Sequence, residues 1–317
     1  MSEFSLIQRY FTRPTPSAVL GVGDDAALVR VGSGMELAIS TDMLVCGTHF
    51  FADADPYLLG CKALAVNISD IAAMGGQPRW ATLAIALPSE DEAWLERFSA
   101  GFFALADEYK VELIGGDTTR GPLNLSITIM GEVPQGKALR RDGAQADDEI
   151  WVSGKLGDAA LALAHLQGKV ELDAATLAAT ENALHRPVPR VALGIELRGI
   201  ARSAIDISDG LLADLGHILE RSHKGAEIHY AKLPVSAHLR PYMAQALGQG
   251  CVLAGGDDYE LCFTAPVARH ADIEKVSTQL ALPLACIGKI VTGGGCKVYA
   301  ADGSEMKVEE TGYDHFK

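Results

Sequence analysis

The chain has 317 residues, 48% of them hydrophobic, and a formal net charge of −14 at pH 7. That length and apolar content supply two cores and exclude a disordered chain. The charge excludes a binder of nucleic-acid backbones, which needs clustered lysine and arginine.

In chain order, strand-like runs at 37–40, 82–87, 112–114 and 125–133 alternate with helix-like stretches at 56–74 and 91–109, an α/β or α+β half. Residues 134–148 lose that periodicity and are rich in glycine, alanine and charge, including Arg140-Arg141-Asp142-Gly143; the domain junction is expected there. A second mixed half follows. It has a strand at 150–153, a helix at 158–167, alanine-rich helical sequence and a break at Pro187-Val188-Pro189. A strand at 203–207, a helix at 211–221 and strands at 259–264, 284–290 and 297–300 complete it. The 6 cysteines, Cys46, Cys61, Cys251, Cys262, Cys286 and Cys296, show no Cys-x-x-Cys pair and no zinc-like spacing, and read as thiols of a reducing cytoplasm. Residues 1–11 lack the apolar run of a secretory signal, and no stretch approaches the roughly 20 apolar residues that cross a bilayer. A cytoplasmic protein without a membrane or nucleic-acid partner is expected.

Aspartate recurs after short apolar runs, beside glycine, serine or threonine: Gly23-Asp24-Asp25, Ser40-Thr41-Asp42, Gly115-Gly116-Asp117, Asp206-Ile207-Ser208-Asp209 and Gly255-Gly256-Asp257-Asp258. Aspartate and glycine also suit ordinary turns and helix N-caps. Carboxylates collected for magnesium, which takes hard oxygen ligands together with phosphate oxygens, are the competing reading, and their repetition favours it. No Gly-x-x-x-x-Gly-Lys-Ser/Thr occurs, and Gly21-Val22-Gly23 does not continue into a dinucleotide fingerprint. Glycines beside Asp25 and Asp117 would instead let the backbone approach phosphate. Asp70 lies in a helix apolar on most of its circumference, where an unpaired carboxylate is costly. Asn67 precedes it by three residues and shares its edge. A solvated stripe that pairs Asp70 with Lys62 is the plainer alternative. His49 follows a turn containing Gly47, and Arg141 would suit a bidentate phosphate contact.

With these motifs, Glu3-Phe4-Ser5-Leu6-Ile7, Asp258-Tyr259-Glu260-Leu261 and the tail Gly312-Tyr313-Asp314-His315-Phe316, the chain resembles the thiamine-monophosphate kinase family of the aminoimidazole ribonucleotide synthetase-like superfamily. The resemblance spans essentially the whole chain. It implies a two-domain α/β (α+β) fold: residues 1–136 binding ATP and magnesium and pairing their mixed sheets in a homodimer, and an α/β domain, 137–317, closing the site. It implies transfer of the ATP γ-phosphoryl group to thiamine monophosphate. Asp25, Ser40, Thr41, Asp42, Asp70, Asp117, Asp206 and Asp209 match the family's magnesium set, and Gly116, Asp117, Arg141 and Ser208 its ATP contacts. His49, Asp257 and Tyr313 fall at the thiamine end, with Phe316 expected to anchor the tail in the core. At Asp257 the family's pattern is often glutamate, and the shorter side chain withdraws the carboxylate by about one C–C bond.

Neither a general base nor a nucleophile is expected. A phosphate monoester has its second pKa near 6 and is mostly dianionic at neutral pH, so the acceptor oxygen is already ionised. Metals between the two polyanions would reduce their repulsion. Another ATP-using superfamily member, such as a selenophosphate or aminoimidazole ribonucleotide synthetase, or a non-catalytic nucleotide or thiamine-phosphate sensor, is the alternative. The former synthetase would show a catalytic cysteine or selenocysteine near its N-terminus, and no cysteine precedes Cys46.

Overall fold

The computed structural model describes residues 2–308, 311–313 and 316. The chain separates into two compact units, unit 1 comprising Met1–Ile71 and Gly76–Gly136, and unit 2 comprising Ala72–Gly75 and Lys137–Lys317.

Unit 1 contains α1 (Glu3–Tyr10), β1 (Met35–Val45), α2 (Pro56–Ala73), β2 (Gln77–Leu87), α3 (Glu92–Tyr109), β3 (Glu112–Arg120) and β4 (Asn124–Pro134). The sheet order is β1-β4-β2-β3, antiparallel except for the parallel pair β2–β3, which α3 connects as a crossover helix. Asp55 starts α2 by accepting from the N–H groups of Tyr57 and Leu58 at 2.9 and 3.2 Å. Residues 61–69 of α2 are all buried, as an apolar circumference requires. Two glycines set the approach of α2 to α3. A Cβ at Gly60 would lie 2.2 Å from the Phe98 carbonyl oxygen, and one at Gly101 would lie 1.9 Å from that of Tyr57. Along β1 the two-residue period puts Ser40 and Asp42 on one face and Ile39, Thr41 and Met43 on the other.

Unit 2 contains β5 (Asp148–Ser153), α4 (Asp158–Leu166), α5 (Ala174–His185), α6 (Val191–Glu196), β6 (Ser203–Asp206), α7 (Leu211–Ser222), β7 (Gly225–His229), α8 (Ala246–Leu253), β8 (Leu261–Pro266), α9 (His270–Leu280), β9 (Leu284–Val291) and β10 (Gly295–Tyr299). Its sheet order is β10-β7-β9-β5-β8-β6, with β10–β7 parallel and the other pairs antiparallel. Both faces are covered. β5 sends Ile150 and Val152 into a core with Leu215 and Ile218 of α7, and Trp151 into a second core with Leu193 of α6 and Ile273 of α9. A strand buried on both faces reads as a continuous apolar run, which is why 150–153 lacks polar alternation.

The strand expected at 259–264 begins only at Leu261, because Tyr259 and Asp257 have φ of 49° and 69°, which no strand residue adopts. Phe316 is 99% exposed and does not anchor the tail in the core; the main chain ties the tail to the loop before α7, with the Tyr313 N–H donating to the Asp209 carbonyl at 3.0 Å. Asp314 and His315 of the tail motif lie outside the described residues.

Candidate active site

In unit 1 the buried helix α2 runs past β1 and its polar edge meets the strand. The Ser40 hydroxyl donates to Asp70 Oδ2 at 2.6 Å, and the Asp42 N–H donates to Asn67 Oδ1 at 3.1 Å. Asn67 is held by its own donation to the Ala63 carbonyl, 2.9 Å away one turn earlier. The three-residue spacing of Asn67 and Asp70 therefore places one amide and one carboxylate against alternate residues of the same strand face. Asp70 faces β1 with a hydroxyl partner and remains partly accessible, whereas Asn67 is buried. Thr41 lies on the opposite face, its hydroxyl 2.8 Å from that of Thr128.

Gly116 and Asp117 lie on β3, beyond β4 and β2 from β1 in the sheet order. Gly116 has φ of 154° and pairs with Leu83 of β2, so close that a Cβ would stand 1.9 Å from the Leu83 carbonyl oxygen. Both Gly116 and Asp117 are exposed. Asp25 is exposed on the loop after Gly23 and donates its N–H to Asp24 Oδ1 at 2.8 Å. His49 closes the turn that ends β1, with Nδ1 accepting from the Val45 N–H at 3.0 Å. An acceptor Nδ1 carries no proton, so the neutral ring bears its N–H on Nε2.

Unit 2 brings together Asp206, Ser208, Asp209, Asp257 and Tyr313. Asp206 is buried at the end of β6, and the chain beyond it runs through Ser208-Asp209-Gly210 into α7. The Asp257 N–H donates to the Ser208 carbonyl at 2.9 Å, the Tyr259 N–H to the Ile207 carbonyl at 2.8 Å and the Tyr313 N–H to the Asp209 carbonyl at 3.0 Å. The N–H groups of Ser208, Asp209 and Gly210 all point at one oxygen, Asp214 Oδ2, at 3.0, 3.0 and 3.1 Å. Burial and the neighbouring Asp209 charge push the Asp214 carboxyl up to about 7 against the pull of those donors. Arg141 is exposed, and its carbonyl accepts from the Ser222 hydroxyl at 3.0 Å.

Behind this loop lies an acidic network. Asp258 accepts from the Gly157 N–H at 2.9 and 3.1 Å, a carboxylate set on the residue that precedes the first turn of α4. Burial raises it well above the ordinary carboxylate value, with the nearby Glu260, Asp158 and Asp257 adding to the effect. Glu260 takes a 2.5 Å hydrogen bond from Ser153 and a two-pronged ion pair from Arg190, 2.6 Å through Nε and shorter through Nη2. Burial pushes the Cys251 and Cys296 thiols up to about 12, leaving no thiolate nucleophile at these positions. A groove of ≈ 950 Å³ lined by α7, β10 and 305–308 touches none of the five residues brought together above.

Asp214 was not among the residues singled out from sequence, and Asp258 and Glu260 stood in quoted motifs without a role of their own. The signal for Asp214 was there: a carboxylate inside the first turns of an otherwise apolar helix stretch, four residues after Gly210, is costly unless it is paired. Among the described residues no group of three or more His, Cys, Asp or Glu forms a ready-made metal cage. The donors in both units are nonetheless all hard oxygens, which fits magnesium, an ion that uses few carboxylates and takes its remaining ligands from phosphate and water.

Residues 23–133, which include the whole of the unit 1 sheet except the last residue of β4, match the family described as AIR synthase related protein, N-terminal domain. Thiamine-monophosphate kinase of Escherichia coli strain K12 is 47% identical over 318 residues, covering 99% of this chain and 98% of that protein. The crystal structure of thiamine-monophosphate kinase from Stenotrophomonas maltophilia K279a superposes with a TM-score of 0.87 at 47% identity, over 96% of this chain and 98% of that one. A structure described as AaThiL complexed with AMPPCP and TMP gives 0.79 at 34% identity, over 93% and 92% of the two chains. The chain belongs to the thiamine-monophosphate kinase family.

Proposed function

We propose that this chain transfers the γ-phosphoryl group of ATP directly to thiamine monophosphate, giving thiamine diphosphate and ADP. The observation that carries this reading is full-length similarity to thiamine-monophosphate kinases, 47% identity over 99% of the chain. The residue chemistry supports it. The acceptor phosphate is already ionised at neutral pH and needs no base, and the described site presents acids, hydroxyls and backbone amides rather than an activated nucleophile.

In unit 1, Ser40, Asp42 and Asp70 form the best supported part of a magnesium set, since Asn67 and Ser40 hold the strand and helix in register around them. Asp25 and Asp117 join that set on the strength of the motif. Thr41 does so by resemblance alone, its hydroxyl being turned to the other face. Within unit 2, Asp206 and Asp209 are the residues we assign to magnesium. Bound magnesium would neutralise and align the phosphates and stabilise charge spread in the transition state. For ATP contacts we assign the exposed Gly116 in unit 1, and Ser208 and Arg141 in unit 2. At the thiamine end, His49 would present its Nε2–H, Asp257 a negative charge and the 53% exposed Tyr313 a π-face suited to the cationic thiazolium.

A homodimer is the assembly we favour. The outward face of β1 leaves Ile39 61% and Met43 53% exposed on a regular strand, an apolar surface that a second copy would cover. No helix among the described residues is long and apolar enough to cross a membrane, in keeping with a cytoplasmic site of action.

Incubation with ATP, magnesium and thiamine monophosphate tests the function: thiamine diphosphate must appear in step with ADP. Absence of product, with both ligands still bound, would leave the sensor reading standing. With a chiral γ-phosphorus, one direct in-line transfer gives net inversion, and net retention would demand a covalent intermediate.

A further inference from the structure

Asp214 is 3% exposed and belongs to none of the motifs that carry the family resemblance. Its single Oδ2 accepts all three N–H groups of Ser208, Asp209 and Gly210. A trans peptide is a rigid plane whose N–H and C=O point in opposite directions. The plane joining Ser208 to Asp209 therefore donates at one end to Asp214 and accepts at the other from the Asp257 N–H, 2.9 Å away. The next plane, joining Asp209 to Gly210, donates to Asp214 and accepts from the Tyr313 N–H at 3.0 Å. Each plane is clamped at both ends.

The surroundings leave little room for the loop to rotate. Gly210 has φ of 126°, and a Cβ there would lie 2.7 Å from the Ala254 carbonyl carbon. A Cβ on Gly256 would stand 2.3 Å from the Ser208 oxygen, and one on Gly312 would be 2.4 Å from the Ala213 Cβ and 2.9 Å from the Asp209 oxygen. The segments carrying Asp257 and Tyr313 are thus pressed onto the loop by glycines, and the loop is pulled inward by one carboxylate.

We infer that Asp214 is a positioning residue which, through these two peptide planes, fixes Asp257 and Tyr313 at the thiamine end together with Ser208 and Asp209 at the nucleotide and metal end. In this role Asp214 acts through the loop and not by contact with a substrate. Its effect on turnover rests on the site assignment proposed above; its effect on the loop does not.

Two measurements on the full chain separate these dependences. Amide hydrogen exchange without ligands reads the clamp directly. Asp214→Asn retains one acceptor oxygen and the side-chain shape, Asp214→Ala retains neither, and each is compared with the parent protein. Losing most of a hydrogen bond that closes a local opening accelerates exchange by about tenfold. That acceleration is expected at Asp257 and Tyr313, which Asp214 does not contact, larger in the alanine variant, with the amides of β5 and β9 unchanged. Unchanged exchange at Asp257 and Tyr313, or equal acceleration throughout unit 2, overturns the inference. Should the alanine variant fail to fold, the asparagine variant alone decides.

Kinetics then read the consequence. Asp214→Ala is expected to raise both the KM for thiamine monophosphate and the magnesium concentration for half-maximal rate by about tenfold or more, as sub-ångström misplacement of several contacts predicts. Asp214→Asn falls between it and the parent. Tyr313→Ala and Asp209→Asn serve as controls. If they alter those two quantities and Asp214→Ala does not, the positioning role is refuted. If neither control alters them, the site assignment is refuted instead, and hydrogen exchange remains the judge of the clamp.

Discussion

Substituting Gly116 by alanine should damage the sheet and the site together. Gly116 pairs with Leu83 in the parallel β2–β3 ladder at φ of 154°, and the added Cβ would meet the Leu83 oxygen, carbonyl carbon and nitrogen at 1.9, 2.7 and 2.9 Å. All three are backbone atoms of an interior strand, so no side chain can swing aside. Clearing them requires β3 to retreat by about 1 Å from a ladder whose spacing is about 4.8 Å, which breaks the hydrogen bonds flanking the site. With about 0.5–1.5 kcal/mol net for each of roughly three ladder bonds, and about 1–2 kcal/mol for forcing an L-residue to positive φ, the cost is about 2.5–6.5 kcal/mol. Trp80, 1% exposed on β2 beside the start of β3, reports unfolding of unit 1 by fluorescence. A urea midpoint lowered by about 1 M or more is expected, together with a severe loss of kcat as β3 carries Asp117 away. An unchanged midpoint with unchanged kcat and magnesium dependence would refute both the strain argument and the role of Asp117.

Ser40→Ala removes the 2.6 Å hydrogen bond to Asp70. It should cost about 1 kcal/mol of stability, since the carboxylate keeps access to water, and should raise the magnesium requirement; parental magnesium dependence would demote this pair to a helix–strand tie. Asp258→Asn tests the buried acid of unit 2. A carboxyl whose folded pKa is raised holds in the folded state a proton that the unfolded chain releases, so its contribution is full below the ordinary value of 3.8 and is lost as pH rises toward the raised value. The unfolding free energy of the parent, read from urea titrations at several pH values, should therefore fall more steeply with pH than that of the variant, by up to ~1.4 kcal/mol per pH unit, and parallel curves would contradict the burial argument. Tyr313→Ala should raise the KM for thiamine monophosphate well above any change for ATP, with melting almost unaffected; the opposite pairing of results would make Tyr313 structural.

Most regular elements could be read from periodicity because their cores are one-sided or continuous. The uniformly apolar α2 was expected at 56–74 and forms at Pro56–Ala73, and β4, expected at 125–133, forms at Asn124–Pro134. β7 (Gly225–His229) was missed: it is five residues long and mixes glycine, glutamate and histidine with its two apolar positions, so no period stands out. The start of β8 was misplaced because the side chains of Tyr259 and Glu260 look strand-like, while the φ of 49° at Tyr259 is imposed by its bond to Ile207, 52 positions earlier. The aspartate motifs were legible as a recurring pattern, and Asn67 with Asp70 as one helix edge. Which face Thr41 presents depends on strand register, and which carboxylate holds the 208–210 loop depends on main-chain geometry; neither leaves a compositional trace.

The two units support their polar groups by different physical means, and this bears on what a phosphoryl transferase requires. In unit 1 the groups stand on regular elements, a strand face and a helix edge, where ladder and helix bonds fix the backbone. In unit 2 they stand on a loop, where no ladder exists. The equivalent rigidity there comes from three N–H donors converging on Asp214 and from carbonyls capped by Asp257 and Tyr313. Transfer of a phosphoryl group between two phosphates offers the protein almost no covalent chemistry, so rate depends on holding anions and their counter-charges in line. A loop free to rotate a single peptide would move, in the same step, the side chains we assign to the metal and to the substrate. A carboxylate buried at 3% exposure, kept despite its desolvation cost, is what prevents that rotation.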